Sequence, residues 1–134
     1  MATDTNLSPW LWEQGGQKWG MDPRTDASSE SNIEQWEKDV INALSTSEKN
    51  TIVTAHLWKC VRKQRNDLLV ECDWTQGADV PNTIKSSWTS YRQALRDVTT
   101  QSDPDNITWY LVNAVKELSA ENTALKARLD AAGL

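Results

Sequence analysis

The residues with reactive side chains are few, and their spacing matches no catalytic or metal-binding motif. His56 is the only histidine, and Cys60 and Cys72 are the only cysteines. The sequence contains no nucleophile-elbow motif, no glycine-rich phosphate loop and no cluster of metal ligands. We therefore expect His56 to be structural. We predict a protein that is not an enzyme and has no catalytic residues, metal site or cofactor.

Charge and hydropathy argue against two classes of partner. The net charge of −5 opposes binding to a phosphate backbone. One basic cluster stands out, and its helical spacing is typical of a solvated helix face. No apolar run approaches the roughly 20 residues that a membrane-spanning helix needs. We therefore predict neither nucleic acid nor membrane as a partner. The basic cluster is Lys59, Arg62, Lys63 and Arg65.

The aromatic composition is unusual, with eight tryptophans and no phenylalanine. Tryptophan buries a large area and often anchors interfaces. Trp10, Trp12 and Trp19 lie in a stretch of glycine, proline and polar residues that cannot build a core of its own. We predict that residues 1–30 form an extended arm whose three tryptophans anchor it to a partner subunit. Packing of the arm on its own chain is the alternative.

Apolar residues at helical spacing predict an all-α fold in the middle of the chain. A turn with Gly77 and Pro81 separates the second and third predicted helices, so these two should form an antiparallel hairpin. The helical region covers residues 31–98, and a polar linker follows over 99–106. The three predicted helices run over residues 33–44, 48–72 and 83–98.

The last segment, residues 107–134, carries a heptad pattern with intervals of four and three residues. This pattern predicts a coiled coil. Glu121 at a g position and Lys126 at the following e position would meet across a parallel, in-register pair. The seam positions are Leu111, Val115, Leu118, Asn122, Leu125, Leu129 and Ala132.

Asn122 is the most informative residue of this seam. A single Asn at an a position lowers stability but specifies register and strand number. Val at a with Leu at d favours two strands, and three strands remain open. The segment therefore predicts a homodimer or homotrimer. The alternative is an amphipathic helix that packs on its own hairpin.

The middle of the chain contains a specific order of motifs: Asp-Trp-Thr-Gln at 73–76, Asp-Val-Pro at 79–81, and Trp-x-x-Tyr-Arg-Gln-Ala-Leu-Arg-Asp at 88–97. This order resembles the module of phage tail assembly chaperones and tail-fibre-associated proteins. The resemblance covers residues 58–109 and implies a phage tail context. The module usually closes on Trp-Pro, where this chain has Trp109-Tyr110. Its candidate residues are Asp73, Trp74, Gln76, Trp88, Tyr91, Arg92 and Arg96.

The side chains of this module also have a direct physical interpretation. Trp74 can pack over the junction of the predicted hairpin, while Trp88 and Tyr91 face its other helix. Arg92 and Arg96 lie one helical turn apart and can pair with acidic residues near the turn. These recurring residues can therefore be structural rather than a binding site. The acidic candidates are Glu71, Asp73 and Asp79.

The sequence supports three functions of different classes. The first is a structural tail-fibre or baseplate subunit that resides in the virion tail, oligomerises by its coiled coil and docks other tail proteins. The second is a tail assembly chaperone that is not retained in the virion. The third is an adaptor dimer unrelated to phage. We predict the first, because permanent oligomerisation and an anchored arm suit a fibre.

Overall fold

The computed structural model describes residues 3–29 and 31–133, with the side chains of residues 29, 110 and 111 excepted. The fold is mostly helical, with one small antiparallel sheet. The described chain divides into an N-terminal unit, residues 4–60, and a C-terminal unit, Thr3 with residues 61–133. The strands are β1 (Trp12–Gln14) and β2 (Gln17–Trp19). The helices are α1 (Gln35–Asn42), α2 (Thr46–Glu71), α3 (Asn82–Asp97) and α4 (Trp109–Ala131).

The N-terminal segment forms a β-hairpin, which corrects the prediction of an extended arm. Gly15 and Gly16 both adopt positive φ, as a two-residue hairpin turn requires. The turn pairs Trp12 with Trp19 across the strands, and their rings stack with centroids 5.5 Å apart. The Gly-Gly pair between polar and aromatic residues was the hairpin signal in the sequence.

The core of the N-terminal unit forms where this hairpin meets α1. Trp19, Ala27 and Ile41 are its buried members, and Trp12 and Val40 pack against them. At the start of α1, the backbone N–H of Glu34 donates to Glu37 Oε2 at 2.7 Å, which satisfies an otherwise unpaired donor. The tryptophans of the hairpin therefore contribute to a core within the chain.

In the C-terminal unit, α3 packs along α4 in antiparallel orientation. Trp88 Nε1 donates to Thr123 Oγ1 at 3.1 Å, and Lys126 Nζ donates to the carbonyl of Thr83 at 3.0 Å. The buried face of α3 that was expected to lie against α2 meets α4 instead. The predicted α2–α3 hairpin is not confirmed. At the end of α2, Arg92 of α3 donates a hydrogen bond to the carbonyl of Leu69.

Helix α4 uses one face for this packing and leaves the predicted seam largely outside it. Trp109, Val112 and Ser119 are buried. Leu118, Leu125 and Leu129 are 59%, 51% and 40% exposed. Each residue of an α-helix is turned by about 100° around the helix axis from the one before it. Counted this way, the seam lies roughly 100° around the axis from the buried face. Leu111, which was also assigned to the seam, lies outside the described side chains.

The segment that joins α3 to α4 is fixed near its middle by two hydrogen bonds from Thr3. Pro104 is buried, and the hydroxyl of Thr3 donates to its carbonyl. The backbone N–H of Thr3 also donates to the carbonyl of Asp105 at 2.6 Å.

None of the helices in the described part of the chain has the length and apolar composition of a membrane-spanning segment.

Replacing Leu95 with Ala should destabilise the fold strongly. Leu95 is fully buried in α3, and such a truncation costs about 2–5 kcal/mol because it leaves a cavity. Val70→Ala, at an exposed position of α2, is the control and should change stability by less than about 0.5 kcal/mol. Urea unfolding measures both. Equal losses for the two variants would contradict this core.

Candidate functional site

The Asp73–Gln76 segment between α2 and α3 forms a single 3-10 turn. Thr75 is buried beneath it, and its hydroxyl donates to the carbonyl of Cys72 at 2.6 Å. The amide of Gln76 donates back to the same hydroxyl at 2.9 Å. These bonds fix the turn with Thr75 inward, and Trp74 is left 57% exposed.

Trp74 begins a row of three aromatic rings that runs from solvent into the core. Its ring meets that of Trp88 at 6.1 Å between centroids, and Trp88 meets Tyr91 at 5.7 Å. Both pairs have the edge-to-face geometry that the charge distribution of aromatic rings favours. We call Trp74, Trp88 and Tyr91 the aromatic row. Tyr91, at its inner end, is only 1% exposed.

The guanidinium of Arg92 holds the turn against α3. Its Nη1 donates to the carbonyl of Leu69 at 3.2 Å and to Cys72 Sγ at 3.1 Å, and it lies 3.0 Å from Asp73 Oδ1 in an ion pair. Burial alone would lower the pKa of Arg92, but the bonds to Cys72 and Asp73 outweigh it and raise the pKa. Arg92 therefore stays charged and links α3 to the end of α2 and to the first residue of the turn.

A cavity of about 220 Å³ lies beside the aromatic row. Lys116 and Glu71 carry its charges, with Lys116 Nζ 3.8 Å from Glu71 Oε2 and 5.9 Å from the centre of the Tyr91 ring. The remaining lining residues are apolar or aromatic. We call this the aromatic pocket; its lining comprises the aromatic row with Leu68, Glu71, Cys72 and Lys116.

The hydroxyl of Tyr91 is a buried polar group without a hydrogen-bond partner among the described residues. Burial, reinforced by nearby Cys72 and Glu71, raises the pKa of Tyr91 to about 12. The hydroxyl is therefore neutral near pH 7, and it can both donate and accept a hydrogen bond. An unpaired buried group of this kind is unfavourable until something bonds to it.

The structure brings together most of the residues assigned to the module. Asp73, Trp74, Trp88, Tyr91 and Arg92 converge at the turn, whereas Arg96 is exposed on the last turn of α3. The sequence motifs did not point to Lys116, because it comes from α4, beyond the module. Leu68, Glu71 and Cys72 lie within the module, but only the fold shows that they line a pocket.

Trp10 and the only histidine stack in the N-terminal unit. The ring centroids of Trp10 and His56 are 3.6 Å apart, and His56 Nε2 lies 2.8 Å from the carbonyl of Thr5 and 3.4 Å from Cys60 Sγ. Burial raises the pKa of Cys60, which keeps the thiol protonated.

No group of three or more His, Cys, Asp or Glu in the described chain is arranged to hold a metal ion.

These contacts bear on the three tryptophans that were assigned to anchor a partner. Trp12 Nε1 donates to the carbonyl of Met21 at 2.7 Å, and Trp19 Nε1 donates to that of Gln14 at 3.1 Å. Together with the stacking of Trp10 on His56, all three rings have partners within the N-terminal unit. Anchoring of another protein by Trp10, Trp12 and Trp19 stays a prediction.

A second groove, of about 340 Å³, lies between α3 and α4. Ser86, Ser87 and Ser90 form its α3 side, and Lys126 closes it with a hydrogen bond of 3.3 Å to Ser87 Oγ. Its α4 side includes the first residues of the exposed seam. We call the described seam positions the α4 seam: Val115, Leu118, Asn122, Leu125 and Leu129.

Residues 58–110 match the family model described as phage tail assembly chaperone protein. The matched segment is less than half of the 134-residue chain, and it contains the turn, the aromatic row and Arg92. The resemblance stated from the motifs is confirmed for this segment. Lys116 and the α4 seam lie beyond it. Searches of curated proteins and of solved structures find no match.

Replacing Arg92 with Ala should destabilise the protein by about 1–3 kcal/mol, because its removal leaves buried groups near the turn unpaired. Arg96→Ala removes the same side chain from an exposed position of the same helix and should cost less than about 0.5 kcal/mol. Urea unfolding of the two variants makes the comparison. A loss at residue 92 no larger than at residue 96 would show that the guanidinium does not hold the turn.

Proposed function

We propose, from the match of residues 58–110 to the family model described as phage tail assembly chaperone protein, that this protein is a bacteriophage tail assembly chaperone. In this proposal it acts in the cytoplasm of the infected host. It binds another tail protein before assembly, keeps the apolar surface of that protein covered, and leaves when the tail is built. The client binds at the aromatic pocket, whose lining lies within residues 58–110 except for Lys116.

The exposure of Trp74 is the observation that carries this proposal. A tryptophan ring that is 57% exposed beside an apolar cavity gains free energy when a partner covers it. Tryptophan is also enriched among the residues that dominate binding energy. Arg92 and Thr75 hold the turn rigid, so little conformational entropy is lost when a client binds.

Long-term residence in the virion, as a tail-fibre or baseplate subunit, is the competing function. The sequence alone favours this function, but the family match favours the chaperone. Among the described residues, the exposed α4 seam is a structural feature that suits a permanent assembly. The two functions differ in where the protein is found after the phage matures.

Quantitative mass spectrometry of infected-cell lysate and of purified virions distinguishes the two. We expect the protein to be abundant in the lysate and absent from virions, because a chaperone is released on assembly. A tail protein of the same particle is the internal standard. A fixed number of copies per virion would overturn the chaperone proposal and support the structural one.

We further propose that the α4 seam pairs two copies of the chain in parallel. Three leucines spaced along one face of α4 are 40–59% exposed in the single chain, and pairing would remove them from water. The heptad spacing makes this surface complementary to itself, as a two-fold dimer requires. Asn122 would face its counterpart, which specifies the register.

The charges beside the seam are consistent with a parallel pair. The described hydrogen bonds of Lys126 go to Thr83 and Ser87, which uses two of the three N–H donors of the ammonium. The third can reach Glu121 of a second copy, which the heptad places opposite. This pairing would compete with the bonds to α3, so we expect it to contribute to register rather than to stability.

Cysteine cross-linking tests the parallel pair. Asn122→Cys should give a disulfide-linked dimer on mild oxidation, because a parallel pair brings the two copies of residue 122 together. Ala127→Cys, at an exposed position of α4 about half a helical turn from the seam, is the matched control and should not cross-link. The wild-type chain, whose two cysteines are buried, controls for oxidation elsewhere.

Light scattering of the wild-type chain completes this test, with an expected mass of two 15.1 kDa chains. The mass of a single chain, with no cross-link at residue 122, would contradict the seam as an interface. A dimer that cross-links equally at residues 122 and 127 would contradict the register. A mass of three chains would contradict the two-stranded pair.

A further inference from the structure

We propose that the groove between α3 and α4 binds α4 of a second copy of this chain, so that the dimer is built on four helices instead of two. The groove is the one of about 340 Å³ whose α3 side is formed by Ser86, Ser87 and Ser90. This inference rests on the parallel pair proposed above and names a second surface on which that pair is built. Three features lead to it: the width of the apolar face of α4, the position of the groove and the chemistry of its walls.

The apolar face of α4 is wider than a two-stranded coiled coil requires. Around the helix axis, Val115 lies roughly 40° from buried Ser119, and Leu125 lies roughly 120° from it on the same side. Buried Trp109 lies roughly 80° from Ser119 on the other side, so this face spans about 200°. The seam of a two-stranded coil is a narrow stripe, whereas a broad face is typical of a helix with several neighbours. A second α4 and a second α3 would supply those neighbours.

The groove lies beside the exposed leucines along the length of α4. Lys126 of α4 donates to Ser87 Oγ of α3 at 3.3 Å, and Leu118 lines the groove about two helical turns earlier. The α3 side of the groove therefore runs alongside this part of α4. A parallel pair in register places the same residues of the second copy at the same height. Its Leu118 and Leu125, which are 59% and 51% exposed in the single chain, then stand next to the groove.

Another chain can cover the α3 wall of the groove without breaking its hydrogen bonds. Ser86 Oγ donates to the carbonyl of Asn82, and Ser87 Oγ donates to that of Thr83, each at 2.8 Å within α3. Because these hydroxyls already donate inside their own helix, burying them leaves no donor unpaired. The short serine side chains also leave room for leucines from a neighbouring helix.

The charges at the groove are complementary to a second copy. Lys126 lies at one end of the groove, and a parallel register brings Glu121 of the second copy next to it. The leucines of that copy meet the uncharged part of the groove. A two-fold axis repeats both contacts, so each groove of the pair receives the leucines of the other chain.

Filling the groove with a large side chain tests this inference on the full-length protein. Ser90→Trp puts an indole at a groove position that is exposed in the single chain, so the chain should still fold. We expect the dissociation constant of the dimer to rise about ten-fold or more, as over-packing of a contact implies. Thr89→Trp is the matched control, because residue 89 is also exposed and is turned by about 100° from residue 90. Its dissociation constant should equal that of the wild type. Sedimentation equilibrium measures both variants, and circular dichroism checks that they fold.

Cross-linking between two different chains tests the same contact directly. One chain carries Ser90→Cys, and the other carries Leu118→Cys and a tag that changes its mass. Mild oxidation of the mixture should give a mixed disulfide, because the groove of one copy brings residue 90 close to residue 118 of the other. Thr89→Cys in place of Ser90→Cys is the control and should give no mixed disulfide.

The contrary results separate this inference from the proposals on which it rests. Equal dissociation constants for the two tryptophan variants, with no mixed disulfide, would overturn the groove as an interface and leave a two-stranded coil at the α4 seam. A wild-type chain that stays single would overturn the parallel pair and this inference together. Neither result bears on the chaperone proposal, which the composition of the virion decides. A virion-resident protein that gives the mixed disulfide would overturn the chaperone proposal alone.

Discussion

The candidate site depends on the hydrogen bonds of one guanidinium. Arg92 reaches from α3 to Asp73, to the carbonyl of Leu69 at the end of α2 and to Cys72. Because Arg92 is charged and mostly buried, these bonds are stronger than those between neutral groups. They hold the turn in the one position where Trp74 continues the aromatic row.

Helix α4 contributes residues to two surfaces of the protein, each from a different face of the helix. One face, with Val112 and Ser119, packs on α3 and supplies Lys116 to the aromatic pocket. The other presents the apolar leucines of the α4 seam. The two faces adjoin each other, since Val115, Leu118 and Asn122 of the seam also line the groove between α3 and α4.

The sequence predicted the helices well because their apolar spacing is regular, and the family motifs placed the turn and the aromatic row. It predicted the partners of those helices poorly. The face with Trp88, Tyr91 and Leu95 looks the same from sequence whether α2 or α4 covers it, since periodicity gives a face but not its neighbour. The hairpin at Gly15–Gly16 was missed because three-residue strands are too short for an alternation signal. Lys116 was missed because its role depends on tertiary packing alone.

The central claim is that the turn of the family segment presents a binding site for another tail protein. Co-expression of this chain with each structural tail protein of its phage tests it most directly, with the soluble fraction of the tail protein as the measurement. The account predicts that at least one tail protein becomes soluble with the wild-type chain and with Trp36→Ala, but not with Trp74→Ala. If no tail protein responds, or if Trp74→Ala acts as well as the wild type, the claim is contradicted.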